Sequence, residues 1–171
     1  LDEFIERDGL DMEASFGKYA IWGQSDGKYY GIPFRATQTG IYYNKDMFDQ
    51  AGVAYPSDDW TLDEYIETAR KMAEWGKDQG IYGTYTHTYA NEWATVAAQK
   101  GEWYTADGKC NIKDPAWQTA LETRKMLDDE GTQMPYGQIV AVKAVINSSF
   151  LGGKEAMVNA GSWLVRDMKN K

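Results

Sequence analysis

Hydrolysis of a glycosidic bond needs two carboxylates facing each other across a cleft, about 5 to 9.5 Å apart. The crowded acidic residues are Asp58, Asp59, Asp128, Asp129 and Glu130. Each falls where a helix is expected to start or end, which is the usual setting of a solvated carboxylate. The single histidine, His87 in TYTHTYANEW, has no G-x-S-x-G or other nucleophile motif beside it. A lone histidine is more often a hydrogen-bonded structural residue or a ligand contact than a catalytic base. FLGGKEAM is not a phosphate loop, because Gly153 and Lys154 are followed by Glu155 and not by Ser or Thr. One cysteine, Cys110, and one histidine make neither an intrachain disulfide nor a metal cluster at any recognised spacing. No cofactor or metal is expected.

What remains is a set of aromatic and uncharged polar segments, each after or within an expected strand: FRATQTG, YTHTYANEW and AGSW. In open α/β sheets ligands bind outside the strand ends, where loops converge. Thr, Gln, Asn, Ser, Tyr and Trp together suit a neutral, hydroxyl-rich ligand, since an aromatic face covers C–H groups and the polar chains satisfy hydroxyls. Trp93 and Trp163 fit such a role and fit a core equally well. The chain is rich in rings, with seven Trp, twelve Tyr and five Phe. Its formal net charge of -8 repels a phosphate backbone, so nucleic acid is not expected as a partner. No apolar run reaches the length of a membrane span and no export signal stands at the start. Scarce cysteine fits a cytosolic protein or a bacterial exported one.

The elements that must position these segments are legible in outline. LDEFIER has helical apolar spacing at Leu1, Phe4 and Ile5. A loop is expected through SFGKYAIWGQSDG, with a turn at Asp26-Gly27, and KYYGIPF is extended, Pro33 confining it to an edge or a crossing. Thr61 and Glu64 predict a capping box at the head of a long helix whose inner face is Leu62, Tyr65, Ile66, Ala69, Met72 and Ala73. IYGTYTHTY reads as a short strand running into a polar loop, and NEWATVAAQKG as a helix with Asn91 as its cap. A hairpin is expected around Asp107-Gly108. Asp114 followed by Pro115 starts a further helix with Trp117, Ala120, Leu121 and Leu127 on one face. A helix near VKAVINSSFLGG, a strand EAMVNAG and a helix start at SWLVRDM complete the chain. Strands alternate with helices, so the fold class is α/β.

DGKYYGIPFRATQTGIYYNKDMFDQAG, DWTLDEYIETARKM and FLGGKEAMVNAGSW, in that order and spacing, resemble the family 1 extracellular solute-binding proteins of bacterial ABC importers, the group containing maltose-binding protein. The resemblance implies a periplasmic-binding-protein-like (type II) α/β fold, of which this chain holds mostly the second lobe and a short part of the first. Residues 1–36 then correspond to the end of a first-lobe segment and the approach to the hinge, and residues 37–171 to the second lobe, incomplete. The absence of Met at the start and the end at VRDMKNK are those expected of an excerpt from a longer protein. The implied function is a non-enzymatic binding component that takes a mono- or oligosaccharide between two lobes and delivers it to a membrane permease. The implied ligand contacts are Arg35, Thr37 and Gln38 at the hinge, His87, Tyr89, Asn91 and Trp93 in the loop, and Trp163 as a platform for a sugar ring. Thr37 stands where maltose-binding protein has a carboxylate. Arg35 could pair with an acidic ligand group or with a neighbouring carboxylate. The implied location is extracytoplasmic, in a periplasm or lipid-anchored on the outer face of the cell membrane through a segment outside this chain. A carbohydrate-active hydrolase using a carboxylate pair is the alternative, and an interaction domain with exposed aromatics a third.

Overall fold

The computed structural model describes residues 1–89 and 93–170, which divide into two compact units, Leu1–Gln38 and Thr39–Lys171. In the first unit, helices α1 (Asp2–Arg7) and α2 (Met12–Phe16) precede a 3-10 segment, Gly17–Gly23. The expected loop through this region is therefore largely helical. Asp11 caps α2 by accepting from the Ala14 N–H, a local signal, but an element of five residues is too short to show a helical apolar stripe. The turn at Asp26-Gly27 is as expected: both residues have positive φ, 49° and 74°, and join β1 (Gln24–Ser25) to β2 (Lys28–Tyr29) in an antiparallel hairpin. Residues 31–38 carry no regular secondary structure.

The second unit is built around two antiparallel strands, β3 (Thr39–Tyr43) and β4 (Met157–Gly161), in register from Thr39 opposite Gly161 to Tyr43 opposite Met157. All five β4 residues are buried. A further extended segment, residues 82–85, runs parallel to β4. Tyr82 N–H donates to the Lys154 carbonyl, Tyr85 N–H to that of Met157, and Asn159 N–H to that of Tyr85. Thr84 in turn bridges Gln133 in parallel. The expected strand in IYGTYTHTY is thus a run of bridging residues at the centre of the parallel part.

Side-chain alternation sends the two faces of β4 into different cores. On one face Met157 packs with Phe48 of α3 (Lys45–Ala51) and with Ala69 and Met72 of α4 (Leu62–Gly76). On the other, Val158 and Ala160 pack with Tyr85 and with Ile139, Ile146, Phe150 and Leu164. Those four come from α7 (Tyr136–Ala141), α8 (Ile146–Leu151) and α9 (Leu164–Lys169). Helices on both faces of a sheet make this the α/β class that the alternation of elements predicts. A third cluster joins α5 (Thr95–Lys100) to α6 (Pro115–Asp129) through Ala97, Trp117 and Ala120.

Local signals explain most helix starts. Asn44 caps α3, the reciprocal Thr61 and Glu64 box caps α4, and Asp114 with Pro115 opens α6. On α6, Trp117, Ala120 and Leu127 are buried, but Leu121 is half exposed and leaves the expected face. Gly83 is needed where α4 crosses the 82–85 segment, since a β-carbon there would stand 1.8 Å from the Ala69 carbonyl oxygen. The expected hairpin around Asp107-Gly108 is held by one antiparallel bridge, Tyr104 to Cys110. Among the described residues no helix is long and apolar enough to cross a membrane.

Glu155 is fully buried at the foot of β4. Its Oε1 accepts from the Ser149 hydroxyl at 2.6 Å, while Oε2 has no hydrogen-bond partner among the described residues. Burial pushes its pKa up to about 7. A folded value above the unfolded one means that the stabilisation is complete below the unfolded pKa, near 4.5, and is lost as pH rises through about 7. Denaturant unfolding between pH 5 and pH 8 is expected to show the parent losing ~1 kcal/mol or more relative to Glu155→Gln. Parallel pH profiles for the two proteins would contradict this.

Candidate functional site

Because residues 82–85 and β4 run parallel, the chains that leave them emerge at the same end of the sheet. One continues into residues 86–89, the other into Gly161, Ser162 and Trp163. β3 begins at this end too, since Thr39 is opposite Gly161. Parallel strand ends are where α/β sheets offer backbone and loop groups to ligands.

The loop of residues 86–89 is organised from the core outward by alternate residues. Tyr85 is fully buried, His87 is half-buried and Tyr89 is exposed. The Tyr85 hydroxyl and His87 Nδ1 are 2.7 Å apart, and the His87 and Tyr89 rings meet edge to face at 4.2 Å. Arg124 on α6 fixes the backbone of this loop: its Nη1 donates to the carbonyls of Thr86, at 3.1 Å, and His87, at 2.8 Å. Its guanidinium also lies over the Tyr136 ring. Burial, and secondly the charge of Arg124, hold the His87 pKa below its ordinary value, so the imidazole is neutral near pH 7.

The loop residues line two recesses. One, of about 130 Å³, is lined by Trp60, Thr86, Trp93, Gln99, Arg124 and Asn159 among others. The other, of about 330 Å³, lies between His87, Thr88 and Tyr89 and the turn from α7 to α8, with Lys143, Val140 and Val145 on its wall. Both are at or below the small end of the ~300–1,000 Å³ usual for a complete small-molecule site. Neither described lining contains a carboxylate. Among the described residues no group of three or more His, Cys, Asp or Glu could hold a metal ion.

Of the residues that the sequence singles out, His87 and Tyr89 are in contact and line one recess, and Trp93 lines the other. Trp93 also packs, half-buried, against the α5 and α6 cluster, so it serves core and recess together. Trp163 opens α9 at the end of β4 and is 39% exposed, too open for a purely core residue. Asn91 lies outside the described residues. Arg35, Thr37 and Gln38 are exposed in the irregular stretch of the first unit, where the Arg35 guanidinium lies over the Phe34 ring and makes no ion pair among the described residues. Asp58 and Asp59 are absent from the described linings of both recesses, and Asp128 has a structural task. Its carboxylate accepts from Gln133 Nε2 at 2.6 Å and from the Tyr136 N–H at 3.0 Å, capping α7.

Sequence reasoning missed Trp60, Gln99, Arg124 and Asn159. Asn159 had a signal, being the one polar side chain in the buried strand MVNAG; it donates to the Thr95 hydroxyl at 3.1 Å. The others come from separate helices and loops, and only the tertiary fold brings them together.

An α/β unit with its aromatic and polar groups at the parallel strand ends is a lobe of the type II periplasmic-binding-protein kind. The family model for bacterial extracellular solute-binding proteins matches residues 1–171, and the chain belongs to that family. A lactose-binding protein of Rhizobium radiobacter is 29% identical over 174 residues, covering 96% of this chain and 38% of that protein. An ABC substrate-binding protein from Listeria monocytogenes, solved in complex with cycloalternan, superposes with a TM-score of 0.83 at 29% identity over 96% of this chain and 42% of that one. A sugar transporter from Rhizobium etli, in an open conformation, gives a TM-score of 0.74 at 30% identity over 97% and 41%. The chain thus spans well under half the length of the relatives it matches, 36% for binding proteins of Brucella abortus.

Because His87 is the only histidine, its titration can be followed by proton NMR without assignment of others. Its midpoint is expected below the ordinary value of 6.5, and Arg124→Gln is expected to raise it. A parent midpoint at or above 6.5 would contradict the neutral imidazole described here.

Proposed function

We propose that this chain supplies the second lobe, and the approach to it, of the substrate-binding component of a bacterial ABC importer for a carbohydrate. The observation that carries the reading is the convergence of residues 86–89 and the Gly161-Ser162-Trp163 turn at one end of the parallel strands, in a chain matched throughout by a solute-binding family. The relative named for lactose and the one solved in complex with cycloalternan support a saccharide over other solutes.

The chemistry agrees. Trp163 presents an exposed ring to the C–H face of a sugar, while Thr86, His87, Thr88 and Gln99 offer neutral donors and acceptors for its hydroxyls. A neutral His87 can present one ring nitrogen as donor or acceptor without the desolvation cost of a charge. Tyr89 and Trp93 are proposed as aromatic contacts beside them, with Asn91, which lies outside the described residues, as a further polar one. Arg35, Thr37 and Gln38 are proposed as further ligand contacts from the hinge segment. Small recess volumes on the second unit fit a site that needs both lobes. Closure of the lobes over the ligand is the functional motion, and the permease then receives the loaded protein. The protein works outside the cytoplasm, as the family description extracellular implies; residence in a periplasm, or attachment through a lipid anchor outside this chain, is part of the same proposal.

Members of this family bind solutes and do not turn them over, and the described linings offer no carboxylate pair for hydrolysis. Titration calorimetry against a panel of mono- and oligosaccharides is expected to give saturable heat with at least one member and no released sugar product. Silence across the panel, with amino acids or polyamines binding instead, would overturn the carbohydrate assignment.

A further inference from the structure

We propose that Gly161 is a positioning residue for Trp163: the missing side chain at the end of β4 is the seat on which the indole rests. This rests on the reading of Trp163 as the sugar platform but goes beyond it, because it assigns the platform's pose to a residue that has no side chain of its own to offer a ligand. A β-carbon at Gly161 would stand 1.9, 2.3 and 2.4 Å from Trp163 Cζ3, Cε3 and Cη2. Real β-carbons essentially never approach heavy atoms that closely, so any side chain at 161 evicts the ring. Gly161 has no positive φ, so backbone freedom is not what requires glycine here. Space for the indole is the requirement.

The seat is itself rigid. Gly161 is buried and in register with Thr39 in the β3 to β4 ladder, and the Tyr42 hydroxyl approaches its carbonyl at 3.5 Å. Trp163 is held from the other side at the start of α9, whose Leu164 is fully buried in the core with Val158 and Ala160. Two residues of chain therefore connect a fixed seat to a fixed helix. The benzo edge of the ring lies where the Gly161 side chain would be, yet Trp163 remains 39% exposed. A ring preorganised in this way loses little freedom when a sugar stacks on it. A ring evicted by a side chain would have to be ordered again at each binding event.

The test is a double-mutant cycle in the full chain, with Gly161→Ala, Trp163→Ala and both together. Two readouts are taken: denaturant stability, and calorimetric affinity for lactose and for any other saccharide of the panel that binds the parent. If the ring is the obstacle, Gly161→Ala is destabilising in the parent and close to neutral when the Trp163→Ala change is already present. In affinity, Gly161→Ala is expected to weaken binding about 10-fold or more, with no further loss when added to Trp163→Ala. A single variant that fails to fold while the double variant folds supports the seat. Equal destabilisation by Gly161→Ala in both backgrounds, or failure of both to fold, overturns it. Parent-like sugar affinity in folded Gly161→Ala, or affinity losses that multiply, overturns the positioning role. Should the parent bind no saccharide, the carbohydrate reading falls, and the stability cycle still decides whether Gly161 seats the ring.

Discussion

Burial of β4 on both faces is the constraint from which the second unit follows. Five residues, Met157 to Gly161, are removed from water with one face against α3 and α4 and the other against α7, α8 and α9. Strands buried on both faces must be apolar or small at every position, and the sequence MVNAG obeys this except at Asn159. That exception lies beside the loop that the site uses, where its amide finds the Thr95 hydroxyl. Once β4 is fixed, the parallel 82–85 segment is fixed by backbone hydrogen bonds to it, and the two chain exits are forced to the same end. The location of the candidate site is a consequence of strand direction.

The outer layer of the site depends on groups that are spent on structure. Arg124 uses one guanidinium nitrogen to hold two loop carbonyls, and its charge helps to keep His87 neutral. Asp128, a crowded acidic residue of the kind that raises the question of hydrolysis, is occupied in capping α7 and binding Gln133. The recess linings are mostly neutral hydroxyl, amide, imidazole and indole groups, with the cations Arg124 and Lys143 beside them and no carboxylate among the described residues. Such a lining suits an uncharged, hydroxyl-bearing solute.

Legibility in the sequence tracks the range of the interaction. Thr61 with Glu64, Asp114 with Pro115 and Asp26 with Gly27 are readable because each signal and its target lie within a few residues. Helix α7 is not, since its N-cap residue is Pro135, which has no side-chain acceptor, and the Tyr136 N–H donates instead to Asp128, eight residues back. Nor could Leu121 be assigned outward, because α6 packs on α5 along a stripe narrower than its apolar face. For the site, His87, Tyr89, Trp93 and Trp163 stand out by type and by position after strands. Arg124 and Trp60 do not, because their relation to the loop exists only after α4 and α6 have packed. Gly161 is visible only as part of a motif, and its physical reason is a ring two residues away.

The central claim, that saccharide meets this unit at the parallel strand ends, is tested most directly by amide chemical-shift mapping of the labelled chain as a binding sugar is added. The account predicts that the perturbed amides cluster at residues 86–88, at Gly161 to Leu164 and at Thr39 and Gly40. Shifts confined to the far hairpin around Tyr104 and Cys110, or to the exposed surface of α4, would contradict it.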